Sequence, residues 1–314
     1  MLTPMNVVMA LNKSLQAVHQ TSFDVALENS WAKEIAVEIP GEATEDMRQF
    51  LVEDIKIREG LGVEYSDLRV HGMTITHKPA GGGFHVRDRD FKTPAAIQIK
   101  TDAAAGLGAA AALYGQNALL KLINSLATRA YDGKLFFDTG HPTNYKDTSQ
   151  GTYDNITTGV DFTVANIAKT LATGAAAIEN RTMADGTPRM VRPRWLLHSP
   201  AKKFEAYTAT AASFIGMTDN VMAKKSTYDI TPVSVPGLAQ RGGKDVMILV
   251  AELVGGGTLA RPFGISTLFP PQMTNYDGLT VPELGRMREL EYDCTADLTA
   301  FVGHPYLAQL LVSA

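Results

Sequence analysis

Several groups of residues have types and spacings that could support chemistry. Gly106, Gly108 and Ala111 fall in the G-x-G-x-x-A pattern by which a dinucleotide loop brings backbone N–H groups against a pyrophosphate. That loop needs a strand before it, a helix after it and an acid about twenty residues on. The apolar piece Ala96-Ile97-Gln98-Ile99 stands where the strand should be, and a helix follows. The acid would have to be Asp132, which falls in a turn after the helix instead of ending a second strand. The βαβ frame fails, and an α/β nucleotide-binding enzyme is the weakest of the readings considered. The alternative is steric: small residues let another element lie close to the first turns of the helix.

Asp138-Thr139-Gly140 copies the Asp-Thr-Gly of aspartic proteases, but that chemistry needs two carboxylates sharing a proton and only one copy is present. Asp138 and His141, with the distant His71, His77 and His85, offer metal-ligating atoms without an H-E-x-x-H or a tight Cys/His pairing. A turn after a strand accounts for them better: Asp and Gly bend the chain and Pro142 stops it. Ser199 lacks the G-x-S-x-G elbow. Glycines 81–83 and 255–257 lack the Lys-Ser/Thr of a phosphate loop and read as hinges. No catalytic residue, cofactor site or metal site emerges, and no enzymatic activity is expected.

The elements around these groups are clearer. The stretch 102–129 is rich in Ala and Leu and free of Pro, so it predicts one long helix of roughly 40 Å. Leu119, Leu122, Ile123 and Leu126 form an apolar stripe, and Asn117, Lys121, Asn124 and Thr128 a polar edge. Tyr131-Asp132-Gly133 turns the chain, and Leu135-Phe136-Phe137 reads as a buried strand. This segment is a central spine that feeds a sheet.

At 314 residues the chain suits two lobes, or one domain with insertions, and 45% apolar residues give ample core. A net charge of −4 argues against a dedicated nucleic-acid reader, though not against lying near DNA without gripping it. One cysteine, Cys294, excludes an internal disulfide framework and fits a reducing compartment. No run is long and apolar enough to span a bilayer, and the N-terminus lacks the order of a secretory signal.

Ahead of the spine, 5–28 is an amphipathic helix with Val8, Leu11, Leu15 and Val18 on one stripe; it suits an arm packed on a neighbour as well as an ordinary helix of the same core. Residues 42–89 are dense in charge and turns. The piece from Phe84 to Asp90 puts Arg87 and Arg89 on one side of a strand, Asp88 and Asp90 on the other. A hairpin charged on both faces cannot offset its ordering entropy from its own core. It needs a partner surface, in this subunit or in the next.

Beyond the spine, 164–178 repeats at helical spacing after Asp161 or Thr163 as a cap, and 195–197 is a strand. Ser199-Pro200 then caps a second helix expected to carry Phe204 and Tyr207 inward. Residues 246–250 read as a buried strand. From Leu290 to Val302 apolar and polar residues alternate, with Cys294 on the apolar face as a small core residue.

Several of these pieces resemble one family. Asp67-Leu-Arg-Val-His-Gly72 through Ile75, Tyr131-Asp-Gly133, and Phe136-Phe-Asp138 with His141-Pro142 are similar in type, order and spacing to the major head subunit of Mu-like bacteriophages. The resemblance implies an α+β protein with the Hong Kong 97-type phage capsid fold. On this chain it implies an N-terminal arm at 1–44, an extended loop (a β-hairpin) at 45–91, a peripheral domain with the spine helix at 92–157 and 255–314, and an axial domain at 158–254. The chain departs from the pattern at 79–83, glycine-rich where a more regular strand is expected, and shows no residues to which a covalent cross-link can be carried.

The same resemblance implies self-assembly into pentamers and hexamers of an icosahedral head enclosing double-stranded DNA without sequence-specific binding. Scaffolding, portal and decoration proteins are the implied partners, and no membrane is. Assembly is expected in the host bacterial cytoplasm and residence in the virion. An encapsulin-like compartment or another phage ring protein is the rival on the same fold. Arg87, Asp88, Arg89 and Asp90 are the expected inter-subunit contacts, from their alternation on a strand that lacks its own core.

Overall fold

A computed structural model describes residues 4–42, 45–51, 70–87, 90, 94–125, 127–143, 149, 151–183, 186–212, 214–215, 218–219, 229–254, 260–276 and 289–314. In chain order, helix α1 (Pro4–Glu28) and the single turn α2 (Ala32–Ile35) lead into strand β1 (Ala36–Pro40). Strands β2 (Glu45–Leu51), β3 (Val70–Thr76) and β4 (Pro79–Arg87) precede the spine helix α3 (Pro94–Asn124). Short strands β5 (His141–Pro142) and β6 (Thr152–Tyr153), then β7 (Ile156–Val160), lead to helix α4 (Ile167–Glu179) and strand β8 (Val191–His198). Helix α5 (Lys203–Ala211) is followed by β9 (Phe214–Ile215), β10 (Thr218–Asp219), β11 (Thr231–Ser234) and β12 (Val246–Leu253). The long strands β13 (Phe263–Tyr276) and β14 (Glu289–Val302) and the terminal β15 (Ala308–Ser313) complete the fold.

Two sheets organise these elements. One has the order β1-β13-β14-β4, with β1 parallel to β13 and the other neighbours antiparallel. The spine helix lies on it, and α1 lies along the spine. The other sheet has the order β11-β8-β12-β15-β7, with α4 and α5 on one face. The C-terminal strand β15 therefore belongs to the second sheet, paired between β12 and β7. Met247 to Ala251 are all buried because that sheet is covered on both sides: Ile248 and Val250 face the spine, Met247 and Leu249 face α4.

The apolar cluster under the spine is common to both sheets. It runs from Trp31, Leu119 and Ile123 through Phe263 and Leu298 to Ile248, Leu310 and Val312. A second large cluster, with Ile167, Leu171, Met247 and Leu249, fills the space between the second sheet and its helices, and two smaller ones stand apart. One joins Leu15 of α1 to Ala104, Val86 and Tyr292; the other joins Ile75 to Phe301.

Three local expectations are corrected. Ala96 to Ile99 form no strand but the opening turns of α3, which begins at Pro94; proline is preorganised for a first helical position. Phe136 and Phe137 are buried but make no strand, since only an isolated bridge from Leu135 to Arg129 pairs this segment. Phe204 and Tyr207 point outward, 71% and 46% exposed, and α5 buries Ala206, Ala209 and Thr210 instead. Residues 255–257 and Asp185 lie outside the described residues.

Candidate assembly surface

The expected contact residues sit at the end of the edge strand β4. That strand is held in its own subunit: Leu290 pairs with Val86 and Glu289 with Arg87, while Val86 is buried against Leu15 and Tyr292. Arg87 is exposed, and its backbone N–H donates to Asp90 Oδ2 at 3.0 Å. Lys100 Nζ lies 3.7 Å from the same carboxylate. Asp90 thus has partners within its own chain. Asp88 and Arg89 lie outside the described residues. By contrast, β2 and β3 pair only with each other among the described strands. Met73 and Ile75 seat one end of this ribbon against Val37, Ile39 and Phe301.

Both motifs that follow the spine converge on one buried polar cluster. The Tyr131-Asp132-Gly133 turn brings Asp132 Oδ2 within 2.5 Å of His141 Nδ1, and Lys134 N donates to Asp132 Oδ1 at 3.1 Å. Gly133 takes φ +78°, which only glycine adopts freely. Asn155 accepts from Asp138 N at 2.8 Å and donates to Phe136 O at 2.5 Å. The guanidinium of Arg181 is buried beside it, donating to the Tyr306, Ala308 and Asp154 carbonyls and to Gln309 Oε1, with the Tyr153 ring 5.1 Å away. Burial holds that guanidinium at about 10. Asp138 and His141 are therefore tied into a joint between the loop after the spine and the second sheet. Among the described residues, no three His, Cys, Asp or Glu side chains gather as a metal site would require.

The G-x-G-x-x-A stretch resolves into packing. A Cβ on Gly108 would stand 2.3 Å from the His19 carbonyl oxygen of α1, whereas one on Gly106 would meet nothing within 4 Å. Gly108 lets the two helices touch backbone to backbone.

One buried row escaped the sequence reading. Ser266 Oγ on β13 lies 3.1 Å from His77 Nε2, and His77 Nδ1 lies 3.5 Å from Asp297 Oδ1 on β14. The three residues are 189 and 220 positions apart along the chain, so spacing could not unite them. Their order is that of a nucleophile, base and carboxylate. Ser266 is wholly buried between β1 and β14, so the row faces no surface from which a substrate carbonyl could approach. No described helix is long and apolar enough to cross a membrane.

A spine helix laid over a four-stranded sheet, an N-terminal helix along it, a two-stranded ribbon and a second sheet at the far end define the Hong Kong 97-type capsid fold. The subunit superposes on the procapsid of bacteriophage JBD30 with a TM-score of 0.51 and 17% identity, covering 100% of this chain and 77% of that one. For the capsid of cyanophage P-SCSP1u the values are 0.56 and 9%, over 89% and 86% of the two chains. For the capsid of Myoviridae phage XM1 they are 0.53 and 11%, over 89% and 90%. No curated protein matches by sequence. The family model of the Mu-like prophage major head subunit gpT matches residues 8–172, over half of the chain. The chain belongs to that family and is a major capsid protein.

Proposed function

We propose that the chain self-associates into pentamers and hexamers of an icosahedral head that encloses double-stranded DNA, and that it does so without catalysis. In this reading 1–44 is the arm, 45–91 the extended loop, 92–157 with 255–314 the peripheral domain and 158–254 the axial domain. The observation that carries it is the β2–β3 ribbon, which shares a sheet with no other described strand and whose buried apolar side chain, among those described, is Ile75 at its end near the body. Two strands alone are marginal in water, so a second copy of the chain is the partner that completes the ribbon. Heterologous contacts of this kind close into rings. The net charge of −4 suits an inner wall that lies beside the genome without gripping it. Scaffolding, portal and decoration proteins complete the particle, which forms in the host bacterial cytoplasm.

Electron microscopy of the purified, self-assembled protein tests this. Closed shells with five- and six-fold rings are expected, and DNA-filled heads where the packaging machinery is present. Isolated rings or open tubes would overturn the proposal. Closed shells that stay free of DNA in the presence of that machinery would favour a compartment of the encapsulin type.

A further inference from the structure

The β2–β3 ribbon leaves and rejoins the body through two short links, one after β1 at Gly41 and one before β4 at His77 and Lys78. These links touch. A Cβ on Gly41 would stand 3.0 Å from His77 Nε2 and 3.1 Å from Leu268 N, so the bare backbone of Gly41 lies against the imidazole. Gly41 N donates to Thr267 O at 2.8 Å, which fixes that backbone on β13.

The His77 side chain is fully buried, and its two nitrogens face two neighbouring strands of the body sheet. Nε2 meets Ser266 Oγ on β13, and Nδ1 faces Asp297 Oδ1 on β14. One residue earlier, Thr299 Oγ1 of β14 donates to Thr76 O at 3.3 Å. Imidazole carries two polar atoms on one flat ring; here Nε2 is hydrogen-bonded, at a cost if that partner is lost, while Nδ1 stands 3.5 Å from the carboxylate without a hydrogen bond.

We infer that His77 is the positioning residue that fixes the direction in which the ribbon leaves the subunit, with Gly41 as the surface that keeps the ring seated. This rests on the reading of the ribbon as the limb by which copies join. His77 acts as a peg set across β13 and β14. With the Ile75–Phe301 contact beside it, the peg gives the ribbon a second fixed point, and two fixed points define an axis. Without the peg, the ribbon is held at its base by the Ile75–Phe301 contact and the single Thr299–Thr76 hydrogen bond, and it pivots over a wider range of angles.

The test places spin labels on the full-length, unassembled subunit at Val70→Cys, the end of β3 remote from Ile75, and at Gln272→Cys, an exposed position on β13, while the native Cys294 stays buried. Gln272→Cys with Thr173→Cys, an exposed position on α4, serves as a control within the body. The parent is expected to give one narrow ribbon-to-body distance. His77→Phe keeps a flat ring but loses both polar edges, and Ser266→Ala removes one hydroxyl. Each should shift the population of pivoted ribbon by roughly tenfold, the effect of one buried hydrogen bond, with the control distance unchanged. His77→Gln, whose amide can reach Ser266, should restore much of the parent distribution. Distributions in His77→Phe and Ser266→Ala that superpose on the parent would overturn the inference. If His77→Phe yields no folded subunit, Ser266→Ala decides by the same distance. A pivoted ribbon with undiminished particle yield would uphold the role of His77 and overturn the reading of the ribbon as the joining limb.

Discussion

Asp132 Oδ2 and His141 Nδ1 stand 2.5 Å apart, with side chains 4% and 0% exposed. The pair locks the turn after the spine to the start of β5, and the His141 ring also stacks on Tyr153 at 5.4 Å. His141→Phe keeps that stacking but leaves the Asp132 carboxylate without its ring partner. Leaving a buried carboxylate short of a hydrogen bond costs about 1–3 kcal/mol. The urea midpoint of the variant should fall accordingly. An unchanged midpoint would mean the pair contributes nothing to the fold.

The two glycines of the dinucleotide-like pattern should respond in opposite ways. Gly108→Ala drives a methyl into the His19 carbonyl, and overpacking of this kind costs roughly 1–3 kcal/mol. Limited proteolysis should then cut α1 first. Gly106→Ala meets open space inside a helix and should stabilise by about 0.5–1 kcal/mol. Thermal unfolding with and without a dinucleotide completes the test, since neither glycine is expected to confer any shift with the nucleotide.

Acid should weaken the fold through His304. Burial first, and the nearby Arg189 second, lower its pKa from 6.5 to about 4. Between those values the unfolded chain binds a proton that the folded chain does not. The His304 contribution is therefore intact above pH 6.5, is lost as pH falls toward 4, and is constant below that. The loss amounts to about 3 kcal/mol. His304→Phe removes this term, so its unfolding free energy should depend less steeply on pH between 6.5 and 4 than the parent's. Equal slopes would count against it.

Reversing the charge of Arg87 and Arg89 to Glu should cut particle yield while leaving the subunit folded by circular dichroism. Asp90→Asn should instead act within the subunit, because its carboxylate accepts from Arg87 N and lies near Lys100. Particles formed in normal yield by the Arg-to-Glu variant would remove these residues from the interface.

The strand β14 shows where sequence patterning succeeds and where it stops. From Leu290 to Ala296 the period of two is obeyed, because one face is apolar core and the other is open. At Asp297 the pattern breaks, and Asp297 and Phe301 are buried on the face that alternation assigns to solvent. The base of the ribbon covers that face, and Gly264 leaves room for the Phe301 ring; a Cβ there would come within 2.2 Å of it. Phe301 in a polar position was the one signal that something lay on top. Ala96 to Ile99 misled for a different reason, since a piece with three apolar residues in four suits a strand or a helix equally and only Pro94 marks the helix start. The Asp132–His141 pair spans nine residues within recognisable motifs, whereas His77, Ser266 and Asp297 are joined only by the fold.

One apolar cluster, from Trp31 to Val312, is shared by both sheets and ties them into a single plate. Copies placed in rings of five and of six must meet at different tilts, and such a plate has nowhere to crease. In the proposed rings, the difference in tilt would fall on the borders between plates and on the β2–β3 ribbon. Substitutions inside the plate should surface as insoluble protein, and altered particle size should trace to its margins.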